Sequence, residues 1–273
     1  MNSNAGSTIS GTEPECPTSR NTEGYRYDGT FYRYIELGSL RSASVIVPLV
    51  LRELLPRSVI DVGCGAGAWL SEYRNRGIED CLGLDGAYVL QAGLLIDAEH
   101  FLALDVVKDF DVGRRFDLVQ CLEVGEHLPE DSSRTLVENL TRHGDRVLFS
   151  AATPGQGGEN HINEKSHEFW RRLFEEYGYK PFDPIRPMIK GNAMVESWYR
   201  RNIILYVAKG AFADLPPSVL GTEIADDRAI PEVSSFAYRL RARVVSTLPM
   251  WLVSKIALVK HKLVVAHRRF RSR

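Results

Sequence analysis

Val59-Ile60-Asp61-Val62-Gly63-Cys64-Gly65-Ala66-Gly67-Ala68-Trp69-Leu70 decides the fold: an apolar strand, a glycine-rich turn and the start of a helix. Glycines at 63, 65 and 67 let backbone approach a ligand where a Cβ would clash. The helix that follows presents unpaired N–H groups at its N-terminus. Such a turn suits a nucleoside cofactor. Read as Gly63-x-Gly65-x-x-Ala68, it also satisfies a dinucleotide fingerprint, so the loop alone leaves two cofactor classes open.

Upstream of the loop, the helical spacing of Val45, Ile46, Leu49, Val50 and Leu54 predicts a helix over 39–55, closed by Pro56. Downstream, strand-like runs at 80–84, 100–103, 116–121 and 146–151 join the run at 58–62. Helix-compatible stretches at 69–76 and 132–141 lie between them. This alternation predicts an α/β fold with right-handed crossovers and a mainly parallel sheet. A further amphipathic helix is expected over 165–177, followed by an antiparallel pair at 179–185 and 202–208.

The 273 residues suffice for one α/β domain with appendages. A formal net charge of −1 gives no global field toward nucleic acid. The four cysteines form no CxxC pair, and three lie in or beside apolar runs, which reads as a reduced, cytoplasmic protein. Residues 1–24 are expected as a disordered lead-in, because the polar start has neither a basic nor an apolar signal region. Residues 25–209 form the core domain, 210–233 a linker, and 234–273 a basic helical extension broken at Pro249. Its ten Lys and Arg are accompanied by no acid after Glu232. Within 247–273, Leu252, Ile256, Val259 and Leu263 share a helical face, which suits an anionic lipid interface, packing on the core domain or a subunit contact.

Chemistry concentrates after the strands. Asp85, about 20 residues beyond the loop, stands where a carboxylate accepts ribose hydroxyls, or else is an ordinary turn acid before Gly86. Asp105 ends the third strand at the same edge of the sheet. The fourth strand runs into Leu122-Glu123-Val124-Gly125-Glu126-His127. A helical turn there would bring Glu123, Glu126 and His127 onto one face as ligands for a divalent cation. Alternatively, Glu123 bonds backbone while the other two face solvent or cap the next helix. After the fifth strand, the polar loop 153–164 (Thr153-Pro154-Gly155-Gln156-Gly157-Gly158) carries His161, either a general base over the cofactor or an ordering residue of the loop.

The glycine loop, the acids closing strands two and three, and Glu123-x-x-Glu126-His127 together resemble class I S-adenosylmethionine-dependent methyltransferases. The resemblance spans most of residues 25–209. It implies a Rossmann-like seven-stranded sheet whose last strand is antiparallel. It further implies S-adenosylmethionine as cofactor, with Asp61, Gly63, Cys64, Gly65 and Gly67 at the methionine end and Asp85 on the ribose. Asp105 and Val106 would hold the adenine, and Leu122 and Glu123 the floor near the sulfonium. Glu-x-x-Glu-His is also similar to a motif of metal-assisted O-methyltransferases, which implies a divalent metal at Glu123, Glu126 and His127. The resulting expectation is O-methylation of a small molecule or glycan hydroxyl. An RNA 2′-O-methyltransferase and a non-catalytic, membrane-docked scaffold are the alternatives.

Overall fold

The computed structural model describes residues 29–91, 93–249 and 252–257, with side chains from Leu37 onward. The expected disordered lead-in at 1–24 and the end of the basic extension at 258–273 lie outside the described residues. Strands β1 (Ser58–Val62), β2 (Asp80–Asp85), β3 (Phe101–Ala103), β4 (Leu118–Leu122), β5 (Arg146–Ser150), β6 (Tyr179–Phe182) and β7 (Ile204–Ala208) form one sheet. Their order is β3-β2-β1-β4-β5-β7-β6. β1 to β5 pair in parallel, and β7 lies antiparallel to both β5 and β6. The sheet is therefore the predicted one, with the antiparallel strand inserted between β5 and β6.

Alternation along each strand builds two cores. Val59, Leu118, Leu148 and Leu205 face one layer, which includes α1 (Gly29–Leu54) and α2 (Ala68–Asn75). Their neighbours Ile60, Val119, Phe149 and Tyr206 face the other, with α3 (Ser133–His143) and α4 (His167–Glu176). Chain order reverses between β1 and β4. That makes the crevice at the carboxyl ends of these two strands the natural ligand site.

The first helix begins ten residues earlier than its sequence pattern suggests. Gly38 lies inside α1 and allows Glu196 to pack closely, since a Cβ there would stand 3.0 Å from the Glu196 carboxylate. After β6 come α5 (Arg186–Ile189) and α6 (Ser197–Asn202), and after β7 come α7 (Pro217–Leu220) and α8 (Phe236–Val245).

Residues 210–233, expected as a linker, instead wrap the sheet edge. Ile224 N–H donates to the Pro181 carbonyl, and Ile224 and Ile230 are buried in the second core. Two buried arginines tie this wrap down. Arg171 donates to the carbonyls of Ala225 and Arg228, and Arg186 to those of Arg201 and Pro231 while pairing with Asp183. Backbone carbonyls solvated by buried guanidinium groups leave no signature in a local sequence window. Among the described residues no helix is long and apolar enough to cross a membrane.

Candidate active site

The glycine loop closes against β2 and β4. Gly63 and Cys64 N–H groups donate to the Leu84 carbonyl, and Gly63 takes φ +79°, where a Cβ would overlap Val124. Gly65, at φ +53°, faces open space, and its N–H donates to Asp85 Oδ2 at 2.7 Å. The Cys64 thiol packs under Gly83 and donates to the Gly65 carbonyl at 3.3 Å. Asp85 also accepts from Gly86 N–H at 2.6 Å and from the Tyr88 hydroxyl at 2.5 Å. Burial raises its pKa, opposed by these hydrogen bonds. Both Asp85 oxygens thus have donors within the chain. Asp105 Oδ1 accepts from Val107 N–H at 3.1 Å and caps the turn after β3, with Val106 half-buried beside it.

Asp61 lies beneath the loop at 2 % exposure, with Oδ2 lacking a hydrogen-bond partner. Burial pushes its pKa up to about 7; the Gln120 amide opposes the shift and the Asp85 charge adds to it. An orphaned buried carboxylate next to a glycine cradle fits a cofactor that carries an ammonium group. The raised pKa also has a stability consequence. In the donor-free protein, the unfolded chain releases this proton near the ordinary aspartate value and the folded one near 7. The contribution of Asp61 is therefore full below about 4, declines as pH rises, and is gone above 7, at no more than about 1.4 kcal/mol per pH unit. Asp61→Asn is expected to flatten that part of the urea-midpoint profile between pH 4 and 7. An unchanged slope would show that the carboxyl is ionised throughout.

Glu126 sits just past β4 with 0 % exposure, and neither carboxylate oxygen has a hydrogen-bond partner. Burial, reinforced by the nearby Glu123, holds its pKa well above the carboxylate range. One ligand atom each from Glu126, His127 and His161 lie within 4.8 Å of one another. Hydrogen bonds orient both imidazoles. His127 Nδ1 meets the Asn160 carbonyl at 3.2 Å, and His161 Nδ1 meets Glu164 Oε1 at 2.8 Å. With Nδ1 turned to these oxygens in each ring, Nε2 is the ring atom left to face a ligand. Although His127 keeps an exposed edge, loss of solvent around the ring and the neighbouring His161 lower its pKa to about 4. A buried carboxylate without partners beside two imidazoles fits a divalent cation.

Glu123 departs from the ligand set expected for it. Its φ of +56° lies in the left-handed region, and both carboxylate oxygens are taken: Oε2 by Gln156 Nε2 at 2.9 Å and Oε1 by Asn202 Nδ2 at 3.0 Å. His161 replaces it in the cluster. Of the alternative, Glu126 is buried rather than turned to solvent, while His127 is exposed.

Glu164 carries no signal in the sequence, yet it organises the loop. Its side chain, 5 % exposed, accepts from Gly155 N–H, Gly157 N–H and His161 Nδ1 at 2.7–2.8 Å. Gln156 and Asn202, also unforeseen, complete the floor. His167 begins α4, its pKa lowered to about 4 chiefly by burial, and stays outside the cluster.

Residues 39–179, more than half of the chain, match the family described as Methyltransferase domain. The chain belongs to this methyltransferase family. Leu122, Glu123 and the Glu126 cluster thus stand at the C-terminal edge of a class I S-adenosylmethionine-dependent methyltransferase sheet. The chain is 28 % identical over 128 residues to the ubiquinone biosynthesis O-methyltransferase of Methylococcus capsulatus, covering 41 % of this chain and 53 % of that one. It is 34 % identical over 106 residues to the protein of the same name from Proteus mirabilis, covering 36 % and 42 %. It spans about half the length of these curated relatives, or less. Among solved structures, the sugar N-methyltransferase KedS8 from Streptoalloteichus has the same fold, with TM-score 0.51 and 17 % identity, covering 72 % of this chain and 99 % of that one.

Proposed function

We propose that this methyltransferase moves the methyl group of S-adenosylmethionine to a hydroxyl of a small-molecule or glycan acceptor, within a catalytic domain at residues 25–209. The observation that carries the reading is the Glu126 carboxylate, fully buried, unpartnered and beside His127 and His161, next to the donor loop. The names of the curated relatives favour oxygen over nitrogen as the acceptor atom. The free, buried thiols of Cys64, Cys81 and Cys121 suit a reducing cytoplasm.

The donor's sulfonium makes its methyl reactive, so the protein's task is alignment and removal of one proton. Gly63, Gly65 and Gly67 would cradle the methionine end, Asp61 its ammonium, Asp85 the ribose, and Asp105 with Val106 the adenine. Leu122 and Glu123 would form the floor, with Glu123 held by Gln156 and Asn202. Glu126, His127 and His161 would hold a divalent cation, which when bound lowers the pKa of a hydroxyl and orients it. As the acceptor oxygen bonds to the methyl carbon, the carbon–sulfur bond breaks and its electron pair stays on sulfur as a neutral thioether. A second reading, favoured by the His161–Glu164 pair, makes His161 Nε2 the base that takes the hydroxyl proton without a cation.

Calorimetric titration of S-adenosylmethionine into the full chain, with manganese or with chelator, tests the proposal. Stoichiometric donor binding in both, and methyl transfer from labelled donor to a hydroxylated acceptor only with manganese, is expected. Transfer unaffected by chelator selects the His161-base reading, and absence of donor binding sinks both.

A further inference from the structure

Helix α8 has two faces of opposite character. One packs on the loop over the site: Arg241 donates to the carbonyls of Gly155 and Gln156 at 3.2 and 3.1 Å, and the Ala242 backbone lies so close to Gly155 that a Cβ there would overlap it. Tyr238 on this side meets the Arg201 guanidinium, 4.0 Å from its ring centroid. The other face carries Phe236, Leu240 and Val244, which are 74 %, 55 % and 59 % exposed. Four-residue spacing places these three on one stripe about 12 Å long, at 1.5 Å of rise per residue. Arg239 and Arg243, both exposed, fall three and seven residues after Phe236 and flank that stripe on one side. In the segment that follows, Ile256 is again exposed, at 52 %, while Val253 is buried against Gly157.

We propose that the exposed face of α8 docks this methyltransferase on an anionic lipid surface. Three large apolar side chains in a row toward water are costly for a free helix and favourable at the headgroup–acyl boundary. Charge complementarity names the occupant. The sequence from Val233 to Arg273 holds ten Lys and Arg and no Asp or Glu, so every ionised side chain on this extension attracts anionic headgroups. The sequence pattern places such a face in 247–273, where Ile256 is exposed and Val259 and Leu263 lie outside the described residues; a second apolar stripe is exposed on α8. Because the opposite face of the same helix packs on the loop carrying His161, docking would set α8 between that loop and the lipid surface.

Co-sedimentation of the full chain with vesicles of phosphatidylglycerol and phosphatidylcholine, against phosphatidylcholine alone, tests the surface. Calorimetric donor binding serves as the folding control for each variant. Binding to the anionic vesicles alone, reduced by high salt, is expected. Phe236→Ser/Leu240→Ser/Val244→Ser is expected to weaken it by about tenfold or more while retaining donor affinity. Arg239→Glu/Arg243→Glu, which leaves the apolar stripe intact, is expected to weaken it similarly. Equal sedimentation of wild type and both variants, or binding independent of headgroup charge, overturns the proposal. So does a chain that ignores vesicles but self-associates through the stripe, shown by a change of elution volume in the triple variant.

Discussion

Glu126→Gln is expected to remove divalent-cation binding while sparing the donor site and the fold. In the wild type a cation that binds only the folded state raises stability by mass action, by about 2.7 kcal/mol at a hundredfold excess over Kd. Manganese should therefore raise the melting temperature of the wild type and leave that of the variant unmoved. In chelator the two proteins should melt alike. Burial already favours the neutral, protonated Glu126 carboxyl, and glutamine is an uncharged group of the same shape. Methyl transfer in manganese should fall by about two orders of magnitude or more, the scale of losing several kcal/mol of charge stabilisation. A manganese-dependent melting shift that survives Glu126→Gln would place the cation elsewhere and end the metal-assisted reading.

Gly65→Val should fold and yet lose the donor, whereas Gly63→Val should not fold. A side chain at 63 overlaps Val124 behind the loop, while nothing lies within 4 Å of a Cβ at 65. Both positions have positive φ, so valine adds backbone strain of roughly 1–3 kcal/mol at either. At 65 the strain is the main structural cost. The branched side chain then fills the space beside Asp85, whose Oδ2 accepts from the Gly65 N–H. Calorimetry should show donor affinity reduced by about a hundredfold or more, with a cooperative melt a few degrees below wild type. Wild-type affinity in Gly65→Val would mean that the donor does not lie against this turn.

Legibility in the sequence followed the range of the interactions involved. The run at 59–70, the acid at 85 and the Glu-x-x-Glu-His segment are local patterns, and each occupies the strand end its pattern indicated; Asp105 falls two residues beyond β3, in the turn that follows. Glu123 was misplaced as a ligand because its partners, Gln156 and Asn202, lie 33 and 79 residues away. Its left-handed φ likewise has no marker in a residue other than glycine or asparagine. Glu164 reads as one more acid in a polar loop until two backbone N–H groups and His161 converge on it. The stretch at 210–233 has linker composition, and only the carbonyl partners of Arg171 and Arg186 show that it is packed.

By itself the sequence determined the layered α/β sheet, the donor loop and the strand edge on which chemistry sits. Periodicity, glycine placement and strand-end acids are all encoded within a few residues of one another. Which carboxylate stays unpartnered, which histidine joins it and which face of the last described helices meets solvent were decided by tertiary structure alone. Each depends on desolvation and on hydrogen-bond partners brought together across the chain. Burial turned Glu126 from one acid of a motif into a group that requires a proton or a cation. Packing against Gly155 turned a basic tail into a wall of the site with its apolar stripe left outward.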